Sequence, residues 1–317
     1  MEAAASNTID NHSSGLQSDR DTIEAALETM PTPLFAVLDG GHFEDLEKEL
    51  FQADIVGRSL FLEGGKADLR RDGPWLVSLH DTRVRGKIMD IAHQQPCAVF
   101  WSCQAGERVL WRHLRSINQV LVPDDRVPYN HGKSSHPVIY ERVLFRHWDP
   151  NVLGGFLPLF SIEQLSRLLG PADGILLSVS DSGRFKRALR PTYLPKTPRG
   201  PLRIEPEQVE IVSQVKVRVM VGRVSEYLRS VAGEQTRSMS NDELAAFSHG
   251  SIREAMDLGV TSEGSHCRWA YMKLVSGGRI SSSSSVIGAM RADDVDISPN
   301  DRVTILMQKI IQETRRL

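Results

Sequence analysis

Long hydrophobic runs are missing from this sequence of 317 residues. Its apolar stretches, such as residues 175–179 and 219–221, fall far short of the roughly 20 residues that cross a bilayer as a helix, so no membrane span is expected. The first residues offer no basic start, no apolar segment and no small-residue cleavage site, which argues against a secretory signal and for a cytoplasmic protein. Cysteine is scarce: Cys97, Cys103 and Cys267 cannot build a disulfide framework, and no Cys-x-x-Cys pair suggests zinc or redox chemistry. They are expected to be buried free thiols. Neither charge is in excess, with 38 lysines and arginines against 40 aspartates and glutamates, a net charge of −2 and a pI near 6.6. That balance argues against a dedicated nucleic-acid binder. What is present, 40% hydrophobic residues at a mean hydropathy of −0.26, suffices for a soluble globular chain of about two domains.

Catalytic signatures are equally thin. There is no Gly-x-Ser-x-Gly elbow for a nucleophilic serine, and Ser180-Asp-Ser-Gly183 reads only as a turn. The turn Asp39-Gly40-Gly41 lies between a strand and a helix, where phosphate binds well. Dinucleotide spacing is absent, because His42, Phe43 and Glu44 follow. Gly132-Lys133-Ser134 resembles the end of a phosphate-binding loop, but Val127 stands where that loop needs glycine. His131, His136 and His147 lack a carboxylate or cysteine at ligand spacing. His80-Asp81 has no nucleophile beside it. No catalytic residue, metal or cofactor is therefore expected.

Residues 1–20, rich in Ser, Asn and Ala, read as a disordered leader. A helix over 21–30 and a strand over 34–38 follow, then a helix over 42–53 that uses Phe43, Leu46, Leu50 and Phe51. An apolar stretch over 55–62 leads into Gly64-Gly65. Strands are expected at 75–79, 97–103, 138–147 and 175–180, and helices at 87–94, 107–117 and 151–169 with a break at Pro158. This pattern predicts an α/β domain over 21–190, a mixed sheet flanked by helices. Five prolines mark residues 191–206 as a linker. An all-helical domain over 207–317 follows, with helices at 207–231, 241–258, 262–275 and from Ser298, and the serines 281–285 as a flexible loop. Within 207–231 the valines also alternate as in a strand, and length favours the helix.

Arg108, Arg112 and Arg115 share one helix face by their i, i+4, i+7 spacing, with Arg126 farther off. They are the candidates for binding an acidic partner.

Several short motifs occur in one order: Phe35-Ala-Val-Leu-Asp-Gly40, Gly73-Pro-Trp-Leu-Val77, Trp111-Arg-His-Leu-Arg115, Phe145-Arg-His-Trp-Asp-Pro150 and Leu169-Gly-Pro171. This succession, over about residues 33–172, resembles the domain of unknown function 4123 family. The resemblance implies an adaptor chaperone of bacterial type VI secretion, a non-enzymatic protein that holds a toxic effector and helps load it on the valine-glycine repeat spike protein. It supplies no catalytic residues, and the helical C-terminal region is expected to choose the toxin. His147-Trp148 departs from the family's usual aromatic after the arginine, and the loop over 124–137 is long. The motif residues Asp39, Gly40, Gly73, Pro74, Trp75, Arg146, Asp149, Pro150, Gly170 and Pro171 read as scaffold: glycines at tight turns, Asp149-Pro150 as a helix cap with Arg146 beside it. An enzyme of nucleotide or phosphoester chemistry and an immunity protein that blocks a toxin are the alternatives.

Overall fold

The computed structural model describes residues 9–11, 19–61, 71–124, 126, 137–179, 184–292 and 297–314. Most of the expected long loop over 124–137 (residue 125 and residues 127–136), Gly64-Gly65 and the turn at Ser180 to Gly183 lie outside the described residues. Contacts divide the chain into two compact units, Met1–Val212 and Ser213–Leu317.

The first unit holds strands β1 (Ile9–Asn11), β2 (Leu34–Asp39), β3 (Gly57–Ser59), β4 (Pro74–Ser78), β5 (Ala98–Ser102), β6 (Gln119–Pro123), β7 (Tyr140–Leu144), β8 (Gly174–Val179), β9 (Arg184–Leu189) and β10 (Leu202–Arg203). Its helices are α1 (Asp19–Glu28), α2 (Leu46–Gln52), α3 (Thr82–Gln94), α4 (Glu107–Ser116), α5 (Pro150–Phe156) and α6 (Ile162–Leu169). The large sheet runs β1-β9-β8-β5-β2-β4-β3, and every neighbouring pair is antiparallel. A small sheet, β10-β6-β7, contains the parallel pair β10–β6. The unit is thus α/β, with mixed strand directions confined to the small sheet.

All six residues of β2 are buried, which is why its sequence is a continuous apolar run rather than an alternation. Successive side chains enter opposite layers. Phe35 and Val37 pack with Val99 and Trp101 against Leu110 and Leu114 of α4 and Leu165 and Leu168 of α6. Leu34, Ala36 and Leu38 pack with Ala98 and Phe100 against Leu27 of α1, Leu46 and Leu50 of α2 and Ile88 of α3. Helices therefore cover both faces.

Several expected boundaries shift for local reasons. Residues 9–11 pair with β9, and α1 starts at Asp19, so the segment 1–20 is not a disordered leader throughout. The helix expected over 42–53 begins only at Leu46, where the Asp45 carboxylate accepts from the Lys48 N–H, and Gly40–His42 forms a 3-10 turn instead. Phe51 then points outward, 83% exposed. Asp81 accepts from the Arg83 N–H at 2.7 Å and starts α3 five residues earlier than 87, which gives Asp81 a capping role, while His80 Nδ1 lies 3.3 Å from Ser78 Oγ.

The proline-rich segment 191–206 is no linker. Leu202 and Ile204 enter the core of the first unit, Ser166 Oγ donates to the Pro195 carbonyl at 2.8 Å, and Arg167 Nε donates to the Gly200 carbonyl at 2.8 Å. Its prolines break regular structure without freeing the chain from the core.

Helix α7 (Pro206–Val231) begins in the first unit and ends in the second. The second unit continues with α8 (Gly233–Thr236), α9 (Asn241–Asp257), α10 (Glu263–Val275), α11 (Arg279–Ser282), α12 (Ser284–Met290) and α13 (Pro299–Thr314). Capping explains the helix starts: Ser240 and Glu243 form a capping box, and Ser262 accepts from the Ser265 N–H. Val224, Leu228, Leu244 and Ile252 form one apolar cluster, and Trp269, Met272, Ile280 and Met290 belong to another. Ile280 and Met290 anchor α11 and α12, so the serine run is helical on either side of Ser283 rather than a flexible loop. Among the described residues no helix is long and apolar enough to cross a membrane.

Candidate partner-binding face

The motif residues at the end of β2 form a polar knot. Asp39 is 1% exposed, and its carboxylate accepts from the Gly41 N–H at 3.1 Å and from Arg146 Nη2 at 2.6 Å. Arg146 also lies 3.5 Å from Asp149, which caps α5 by accepting from the N–H groups of Asn151 and Val152, with Pro150 in the first turn. Gly40 donates its N–H to the Gly73 carbonyl, Pro74 lies opposite Asp39, and Trp75 is buried. Gly170, at φ +52°, turns the chain after α6 where a side chain would strike the His113 ring. Arg190 donates to the carbonyls of Gly170 and Ala172, and the Pro171 carbonyl accepts from Cys103 Sγ at 3.6 Å.

Most of these contacts tie a side chain to a backbone group or to another side chain, and they fix the end of β2, the start of α5 and the turn after α6. Arg146→Ala would leave the buried Asp39 carboxylate with the Gly41 N–H and with His42 Nε2 at 3.9 Å. Breaking a fully buried pair costs 3–5 kcal/mol, and half-exposure of Arg146 lowers the expected loss to about 2 kcal/mol, read as a lower urea midpoint. A change within about 0.5 kcal/mol, the usual range for exposed positions, would contradict this role.

Other candidate residues that the structure describes are held by the fold. The three free cysteines are buried, and burial pushes the Cys97 thiol up to about 12. His147 is buried with Nε2 at 2.9 Å from Asn118 Oδ1. Gly132-Lys133-Ser134, His131 and His136 lie outside the described residues, among which no three potential ligands gather as a metal site. A cleft of about 640 Å³ includes Gln164, Arg203, Glu205 and Gln208. Their polar groups are engaged within the unit: Arg203 with Glu205 at 2.9 Å, Gln164 Nε2 to the Arg203 carbonyl, and Gln208 Nε2 to the Leu159 carbonyl.

The arginines of α4 are different. Leu110 and Leu114 bury one side of the helix, while Arg108 and Arg112 are exposed and make no ion pair with any described residue. Arg115 is half-buried, its guanidinium 4.3 Å from the centre of the Trp111 ring. Arg58 of β3 lies 3.9 Å from the same ring centre, and Trp111 Nε1 donates to the Ser59 carbonyl at 2.9 Å. Two guanidinium groups are thus held against one indole, with two free ones on the adjoining helical positions. Arg58 escapes sequence reasoning because nothing near it marks its approach to α4. Such a face suits carboxylates, which arginine grips through paired N–H groups.

The first unit is an antiparallel sheet domain, covered by helices and bearing an arginine-rich face, and a helical unit follows it. Residues 34–167, from β2 into α6, match the family model described as Domain of unknown function (DUF4123). No curated protein and no solved structure matches the chain.

Proposed function

We propose that this chain is a non-enzymatic adaptor of bacterial type VI secretion, which binds a cognate toxic effector in the cytoplasm and helps load it onto the valine-glycine repeat spike protein. The observation that carries this reading is the Arg58, Arg108, Arg112 and Arg115 face around Trp111. Arg108 and Arg112 are charges that no described residue answers. Exposed charges contribute little to stability but steer and select acidic partners. The family resemblance supplies the partners' identity.

The test is an affinity pull-down from the source bacterium with the partners identified by mass spectrometry, comparing the native chain with Arg108→Glu/Arg112→Glu. The native chain is expected to recover a toxin and the spike protein. The variant should melt at the native temperature and recover one of the two about tenfold less. Failure of the native chain to recover either protein from cells expressing the secretion system would sink the adaptor reading. Protection of cells from a toxin without any effect on its export would point to an immunity protein instead.

A further inference from the structure

Helix α7 carries more apolar surface than the second unit covers. Val215, Val217, Val219 and Val221 occupy alternate positions, which a helix spreads over opposite sides instead of gathering on one. Valine is a poor helix former, so helix propensity does not account for this density. Val224 and Leu228 enter the core, whereas Val215 of α7 and Met256 of α9 are each 47% exposed. The two helices meet through Ser225 and Ser248, whose hydroxyls are 2.9 Å apart. A groove of about 760 Å³ lies between them, with Val217 and Val221 from α7 and Ala246 and Met256 from α9. Arg218 and Arg253 line it, one from each helix, both exposed and neither paired with a described residue. No carboxylate is among the described residues lining it.

We infer that this groove seats an amphipathic helix of a protein partner, apolar toward Val217, Val221 and Met256 and acidic along the borders that face Arg218 and Arg253. The inference deepens the adaptor reading and rests on it. Both walls are helices whose backbone groups bond internally, so the groove offers no strand edge, and an incoming segment must satisfy its own backbone. A helix does so. The small side chain of Ala246 permits close approach, and the two unanswered arginines set the sign of charge required.

The experiment places p-benzoylphenylalanine at Ala246 of the full chain, and in a second preparation at Arg112, in the source bacterium. Photo-adducts are mapped by mass spectrometry to the captured segment. The expected adduct at Ala246 lies in an amphipathic segment with Asp or Glu beside its apolar face. A synthetic peptide of that segment should bind the purified chain and lose about tenfold affinity with Arg218→Glu/Arg253→Glu. Exchanging the peptide's acidic residues for lysine should restore binding to that variant. Capture of a second copy of this chain, of a segment without acidic residues, or of nothing at Ala246 while the Arg112 probe captures a partner would overturn the groove assignment alone. No adduct at either position would overturn the adaptor reading together with it.

Discussion

Acid is expected to unfold the first unit as the pH falls from about 6.5 toward 3, because two histidines are held neutral in its interior. Burial is the main cause for both. It pushes His147 down to about 3, with His113 adding repulsion, and His113 down to about 4, with Arg167 and Arg190 adding repulsion against the opposing hydrogen bond to the Leu168 carbonyl. In the unfolded chain both take up protons near pH 6.5. The folded state therefore keeps its full advantage above 6.5 and loses it as the pH drops, until each folded histidine titrates in turn. The loss reaches about 3 kcal/mol for His113 and about 4 kcal/mol for His147. Together these rival the 5–15 kcal/mol by which a typical domain is stable. Carboxylates with lowered pKa, such as Glu205 and Asp124, add their share only below about pH 4. Urea titrations followed by tryptophan fluorescence at pH 7, 6, 5 and 4.5 should show the decline, and His113→Gln should make it shallower. Constant stability from pH 7 to 4.5 would show that these rings are protonated without unfolding.

Gly40→Ala should cost about 3 kcal/mol or more, enough to leave little folded protein in a marginal domain. A Cβ at this position would stand 2.4 Å from both the Arg71 and the Gly73 carbonyl oxygens. Both are backbone atoms, so no side chain can swing aside. Moving them would also disturb the Gly40 to Gly73 hydrogen bond and the Asp39 carboxylate that Arg146 holds next door. Gly41 is the internal control, since its Cβ would meet Asp39 Oδ1 at 3.4 Å and nothing nearer. Gly41→Ala should fall within about 1 kcal/mol of the native chain. Equal, small losses for the two variants in guanidinium denaturation would refute the close packing at Gly40.

The difference between neighbouring glycines shows where sequence reading stops. The motif Phe35 to Gly40 ends on this glycine, but the reason lies in a backbone segment more than thirty residues away. Elements whose partners are hydrophobic layers were readable: β2, β4 and β5 announce themselves as apolar runs, and α4 and α6 as amphipathic periods. Strand β9 does not, because its sequence includes Arg184, Lys186 and Arg187. Lys186 is accommodated by donating to the Gly154 carbonyl at 2.6 Å, a contact made by tertiary structure alone. Strand β10 has two residues and exists through its pairing with Val120 and Leu121. At the candidate face the arginines of α4 follow from helical spacing, whereas Arg58 joins them through the sheet and the groove needs two helices side by side.

The order of strands in the large sheet bears on how the chain assembles during synthesis. The interior strand β2 precedes its neighbours in the chain; β4, bearing β3, adds to one side and β5, β8 and β9 add in succession to the other. Strand β3 emerges before its partner β4 and joins with it; from β4 through β9 every later strand of this sheet lies at an existing border, and none has to insert between strands already paired. A growing chain can therefore lay down this sheet outward from β2 as residues emerge, without undoing ladders formed before.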